Sequence, residues 1–156
     1  MYMHLSNMSQ TFLPVLPCMC GSFRRTARAL TQLYEDALRP LRLRATQMTI
    51  LQALSRAGEI SQGRLGEMLA MDSTSLTRTL AIMRRHGWIA ERRGRDRRER
   101  WLRLSGAGEK TLRRAEPVWE EVQSRLRRDL GAQDWDQLLQ LTQRVTGTVM
   151  TKGDSA

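Results

Sequence analysis

The residues best equipped for chemistry lie between Asp72 and Leu104, in the stretch DSTSLTRTLAIMRRHGWIAERRGRDRRERWLRL. Its first half reads as a helix capped by Asp72, whose carboxylate can accept the first free backbone N–H groups. Leu76, Thr79, Leu80 and Met83 recur at helical spacing and form a face suited to a core. At roughly 100° per residue, Thr74, Arg78 and Arg85 fall opposite Leu76, flanked by Ser75 and Thr77. The outward face therefore carries hydroxyl and guanidinium groups and no carboxylate. Guanidinium groups bond guanine edges in bidentate fashion, and hydroxyls bond bases or phosphate. Arg78 is the candidate for a base contact, and Ser73 and Ser75 are candidates for phosphate.

A second group follows directly. Residues 92–100 hold six arginines against two acids, a net +4. The tip comprises Arg95, Asp96, Arg97 and Arg98. Elsewhere the chemistry is sparse. With His4 and His86 as the only histidines, no Ser/His/Asp or Cys/His arrangement is legible, and no cofactor is expected. Cys18 and Cys20 supply only two ligands, too few for a zinc centre, so no metal is expected either. Adjacent to Arg24 and Arg25, they form a candidate redox pair. Side chains at i and i+2 point apart, so an intrapair disulfide is disfavoured, whereas a bridge to a second subunit is open. The plainer alternative is that both thiols are structural or incidental.

These side chains need elements to position them. Helices are expected from about Cys18 to Arg39, with a stripe of Phe23, Ala27, Leu30, Tyr34 and Leu38, and from Thr46 to Ala57, ended by Gly58. A very short strand at Glu59-Ile60 and a helix from the Ser61 cap to Leu69 come next. Gly66 leaves room there for a neighbouring helix. The turn Ala70-Met71-Asp72 leads into the outward-facing helix, and two short helices joined in this way are the helix-turn-helix signature. The period then changes to two. Trp88–Arg92 and Arg100–Leu104 read as a hairpin with a basic tip, a wing. Ser105 caps a long helix, which Pro117 should kink or divide and Gly131 ends. A last helix runs from about Asp134 to Met150. Residues 1–17, broken by Pro14 and Pro17, read as an irregular arm.

The whole chain agrees with this reading. It has 156 residues, is 40% hydrophobic and carries a formal charge of +10. Lysine occurs only at Lys110 and Lys152, so arginine supplies nearly all the positive charge. A GC-rich genome would explain arginine over lysine, but not the excess of base over acid. There is no signal-peptide pattern and no run of the roughly 20 apolar residues a membrane span requires. A soluble, cytoplasmic protein with no membrane partner is expected.

The order Thr77-Arg78, Gly87, Arg92, Asp96-Arg97-Arg98 and Leu104-Ser105-Gly106-Ala107-Gly108 resembles the MarR family of winged helix-turn-helix bacterial transcriptional regulators. The resemblance extends from about residue 20 to residue 145, including LRLRATQMTILQAL. The departures are Gly66 where alanine is common, an unusually arginine-rich wing, and seventeen leading residues without a counterpart. It implies a mainly α fold: a winged helix-turn-helix domain (44–104) with a small β-hairpin wing, and a helical dimerisation domain (18–43 and 105–151). It further implies a homodimer on a pseudo-palindromic operator in double-stranded DNA, and an Asp96–Arg98 pair bracing the wing. By the same resemblance the protein is a repressor released by a small aromatic or phenolic effector or by thiol oxidation. Tyr34, Met48 and Trp88 are the candidate effector pocket. Two other classes stand beside this one. A protein-interaction module built on a winged helix would not require the basic wing. An enzyme would require a catalytic constellation that the sequence does not display.

Overall fold

The computed structural model describes residues 17–96 and 98–153. The arm, apart from Pro17, and the wing-tip Arg97 lie outside these residues. Two units are distinguished, residues 1–32 and residues 33–156. In the first, the described chain is almost entirely the leading part of helix α1 (Met19–Leu38), and its Met19, Phe23 and Leu30 are exposed.

In the second unit α1 ends in a 3₁₀ turn, Arg39–Leu41, where a plain stop was expected. Pro40 fits there because the first turn of such a helix has no use for its missing N–H. Arg42 then takes a left-handed conformation (φ 54°) that turns the chain into α2 (Ala45–Ala57). Gly58, at φ 70°, closes α2. Strand β1 (Glu59–Ser61), helix α3 (Gln62–Leu69) and helix α4 (Ser73–Arg85) follow, then β2 (Ile89–Arg93), β3 (Arg100–Leu104), α5 (Gly106–Leu130) and α6 (Ala132–Gly153).

The three strands form one antiparallel sheet in the order β1-β3-β2. Ile60 faces Leu102 across one ladder, and Ile89 faces Leu104 across the other. The wing hairpin is thus extended by the short strand before α3, which ties it to the helix-turn-helix. Leu102, on the central strand, is fully buried with Met48, Leu51, Leu65, Leu80 and Met83 in the main core. Burial of each such side chain contributes about 1.5–3 kcal/mol.

Helix α5 is not divided. It runs unbroken through Pro117 for 25 residues. Proline removes the one hydrogen bond that would reach Arg113, while Ala115 and Val122 are buried and Val118 and Trp119 pack on the core. Packing on both sides of the proline holds the two halves in one helix. Helix α6 starts two residues before Asp134 and has no buried residue among those described; Leu138, Leu139, Leu141, Val149 and Met150 are exposed. No described helix is long and apolar enough to cross a membrane.

Candidate nucleic-acid interface

Helix α4 is built as its sequence requires. Asp72 Oδ1 accepts the Ser75 backbone N–H at 2.8 Å. That bond holds the Asp72 carboxyl below the usual carboxylate range. Leu76, Leu80 and Met83 are buried, while Ser73, Thr74, Ser75, Thr77, Arg78 and Arg85 are exposed. The five residues selected on helical spacing, and Ser73 beside them, therefore lie on the open side. Gly66 of α3 is buried, and a Cβ there would meet Leu76 Cδ2 and the Met71 carbonyl at 3.4 Å. That is ordinary contact distance, so the approach of α3 and α4 does not depend on the expected room at Gly66 and would admit an alanine. The α3–α4 turn passes through Ala70 at φ 49°, and the Ala70 and Met71 N–H groups bond back to Glu67 and Gly66.

The arginines divide into two sets. Glu91, at the wing base, lies 2.5 Å from Arg84 of α4 and 2.6 Å from Arg100 of β3. The Arg84 contact is ionic rather than a well-aligned hydrogen bond, since Arg84 Nε and Glu91 Oε2 are buried without a hydrogen-bond partner. Arg92 Nε and Nη2 grip Glu59 at 2.8 and 2.6 Å. This clamp lowers the Glu59 pKa and raises that of Arg92. The Arg92 guanidinium also lies 5.0 Å from the Trp101 ring centre, a cation–π distance. Arg84, Arg92 and Arg100 thus fasten helix, wing and β1 together. Among the described residues, Arg78, Arg85, Arg95 and Arg98 have no ion pair and remain exposed.

The wing tip closes through backbone bonds, Gly94 N–H to Glu99 and Glu99 N–H to Asp96. Asp96 is joined to Arg98 through the Arg98 backbone N–H, at 2.9 Å, and not through its guanidinium. The expected brace is therefore a local turn, which leaves the Arg98 side chain available.

A third contact fixes the end of α4. Ser105 caps α5 by accepting the Gly108 N–H at 3.1 Å, and its Oγ donates to the Gly87 carbonyl at 2.5 Å. Its backbone N–H reaches Trp88 O at 3.0 Å. Gly87 needs its φ of 71°, and a Cβ on Gly108 would lie 2.1 Å from Trp88 O. The Leu-Ser-x-x-Gly step is thus a joint between α4 and α5.

The candidate effector residues each have their own packing role. Tyr34 stacks on Trp119 with ring centres 4.1 Å apart, and its burial raises the phenol pKa. Met48 is fully buried in the core. Trp88 packs at the core edge and stacks on His86 at 4.5 Å. An open hollow of about 500 Å³ has a different lining, which includes Gln52, Arg56, Glu116, Trp119 and Trp135. Cys18 and Cys20 are free and exposed. Among the described residues no group of three or more His, Cys, Asp or Glu side chains could hold a metal ion.

Residues 43–99 match the model of the MarR family. The chain is also similar to the transcriptional regulator MosR of M. tuberculosis, solved in complex with DNA. The TM-score is 0.78 at 31% identity, covering 86% of this chain and 97% of that one. The chain belongs to the MarR family. Its winged fold is shared with a mutant MarR from E. coli complexed with operator DNA, at TM-score 0.72 and 23% identity, covering 81% of this chain and 91% of that one. An uncharacterised HTH-type transcriptional regulator of Bacillus subtilis, YwoH, is 28% identical over 86 residues, or 55% of this chain. The match spans 63% of that curated relative's length. Two parts of this MarR-family site had no sequence signal of their own. Glu59 and Arg92 are 33 residues apart, and Gln62, which bonds Thr77, resembles any exposed helix-start residue.

Proposed function

We propose that this MarR-family chain is a homodimeric, sequence-specific DNA-binding regulator of the repressor type, acting in the cytoplasm. One observation carries the reading. Glu59 and Glu91 are engaged by Arg84, Arg92 and Arg100, whereas among the described residues Arg78, Arg85, Arg95 and Arg98 are exposed without ion pairs, beside the hydroxyls of α4. A surface evolved only for solubility has no reason to separate its arginines in this way. The MosR relative, solved with DNA, supports the same reading.

In this proposal α4 enters the major groove, with Arg78 on a base edge and Ser73 and Ser75 on phosphate. Arg95, Arg97 and Arg98 of the wing approach the minor groove, where a narrow A·T tract draws guanidinium groups. Residues 44–104 form the reader, and residues 18–43 and 105–151 the dimerisation domain. The exposed leucines of α6 are the surface a second copy would cover. Two-fold symmetry then sets the recognition helices about 34 Å apart on a pseudo-palindromic site. Release is assigned to a small aromatic or phenolic ligand, for which the hollow beside Trp119 and Trp135 offers space, or to oxidation of the exposed Cys18 and Cys20.

A band shift with the intergenic DNA beside the gene tests this, with and without phenolic acids and peroxide. With about 6–10 phosphate contacts, affinity should fall roughly 10³–10⁵-fold between 50 and 200 mM salt. Arg78→Ala should cost about 1–3 kcal/mol on the operator and relax its sequence choice. A salt-independent shift, or equal losses on operator and random duplex, would count against the assignment.

A further inference from the structure

Threonines inside helices commonly turn their hydroxyl back onto a carbonyl of the preceding turn. Thr49 does so to Ala45, Thr79 to Ser75 and Thr111 to Ala107, at 2.9–3.1 Å. Thr77 differs. Its Oγ1 accepts a hydrogen bond from Gln62 Nε2, the first residue of α3, at 3.0 Å. A hydroxyl has one proton to give and two lone pairs. Here one lone pair is taken by the amide, and among the described residues the proton has no acceptor.

We propose that Gln62 is a specificity-determining positioning residue: it sets the polarity of Thr77, so that Thr77 meets DNA as a hydrogen-bond donor. The inference rests on the DNA-reading function proposed above. Gln62 occupies one lone pair of the Thr77 hydroxyl, and a hydroxyl that already accepts a hydrogen bond donates its own proton more readily. A donor at that point selects a base edge that offers an acceptor: guanine O6 or N7, adenine N7, or thymine O4. Cytosine presents only its N4 amino donor in the major groove, so it can use only the remaining lone pair and is disfavoured there. Arg78, the next residue, is donor-only by chemistry. The adjacent pair is therefore biased towards donating, and the operator should carry neighbouring acceptor-rich edges beneath it.

The amide makes this polarity reversible. A carboxylate at position 62 can only accept. In Gln62→Glu the Thr77 proton would turn inward to the new carboxylate, and its lone pairs would face the groove. The preferred base edge should then change from acceptor to amino donor, favouring cytosine N4 or adenine N6. In Gln62→Ala the hydroxyl loses its anchor, and the preference should weaken without reversing.

The experiment is selection from randomised duplexes with the full-length protein, comparing wild type with Thr77→Val, Thr77→Ser, Gln62→Glu and Gln62→Ala. Thermal melts confirm that each variant is folded. Thr77→Val should lose discrimination at one base position per half-site by roughly 2–13-fold, the worth of one neutral hydrogen bond. Thr77→Ser should retain most of it. Gln62→Glu should alter the same position and reverse its preference, while other positions keep theirs. An unchanged preference at that position in both Gln62 variants would overturn the inference and leave the DNA-reading function standing. Equal losses of specific and random binding in Thr77→Val would also overturn it, because Thr77 would then touch only phosphate. If wild type binds no duplex even at low salt, the DNA-reading function fails and the inference fails with it.

Discussion

The joint between α4 and α5 can be tested with a single methyl group. In Gly108→Ala the new Cβ would sit 2.1 Å from Trp88 O, 3.0 Å from its carbonyl carbon and 3.2 Å from Leu104 Cδ2. The first two are backbone atoms and cannot swing aside. The same carbonyl accepts the Ser105 N–H at 3.0 Å, so relief by movement stretches that bond. Overpacking costs about 1–3 kcal/mol, and the strained hydrogen bond about 0.5–1.5 more. Alanine recovers about 1 kcal/mol through helix propensity. The net is a destabilisation of about 0.5–3.5 kcal/mol, centred near 2. For a chain of this size each kcal/mol lowers Tm by about 2–4 °C, so a fall of about 4–8 °C is expected. Gly106→Ala is the matched control. It lies in the same first turn, and a Cβ there would meet nothing within 4 Å. It should leave Tm unchanged or raise it slightly. Melts followed by circular dichroism at one fixed protein concentration decide the matter. If Gly108→Ala melts with or above wild type, the close approach is not what requires glycine here.

Leu102→Ala, at the centre of the sheet and fully buried, should cost about 2–5 kcal/mol, seen as a lower urea midpoint at unchanged slope. Asp72 and Glu59 both have folded pKa values below their ordinary ones. Their stabilisation is therefore complete above about pH 4, the unfolded range, and is lost as pH falls through the folded values. Asp72→Asn keeps a good cap, so it should change Tm little at pH 7 but flatten the loss of Tm between about pH 5 and pH 3; an unchanged acid limb would remove Asp72 from the account. Leu138→Glu, on the exposed apolar side of α6, should shift the mass measured by light scattering from dimer to monomer. A mass that stays dimeric would place the two-fold contact elsewhere.

Much of the fold was legible because it depends on local rules. Apolar spacing marked each helix within a few residues, Asp72, Ser61 and Ser105 announced caps, and Gly58 and Gly131 announced stops. Pro117 does not divide α5, because local propensity counts the lost hydrogen bond and not the packing of Ala115, Val118 and Val122 on both sides of it. The exposed face of α4 was legible for a similar reason: helical geometry alone assigns Thr74, Thr77 and Arg78 to one side.

By itself the sequence determined that a hydroxyl- and arginine-bearing helix would be followed by a basic hairpin, since both follow from periods of 3.6 and two along the chain. Only the tertiary structure decided which arginines are available. Charge in a sequence is a sum, and nothing local says that Glu59 will meet Arg92 or that Glu91 will lie between Arg84 and Arg100. The first pairing arises when β1 joins the wing and the second where α4 meets the hairpin, and together they separate fastening arginines from exposed ones. The orientation of Thr77 was likewise hidden, because its partner Gln62 is brought to it by the α3–α4 turn. Which side a residue faces is a property of its helix, whereas what its polar atoms have left to offer depends on neighbours that only the fold supplies.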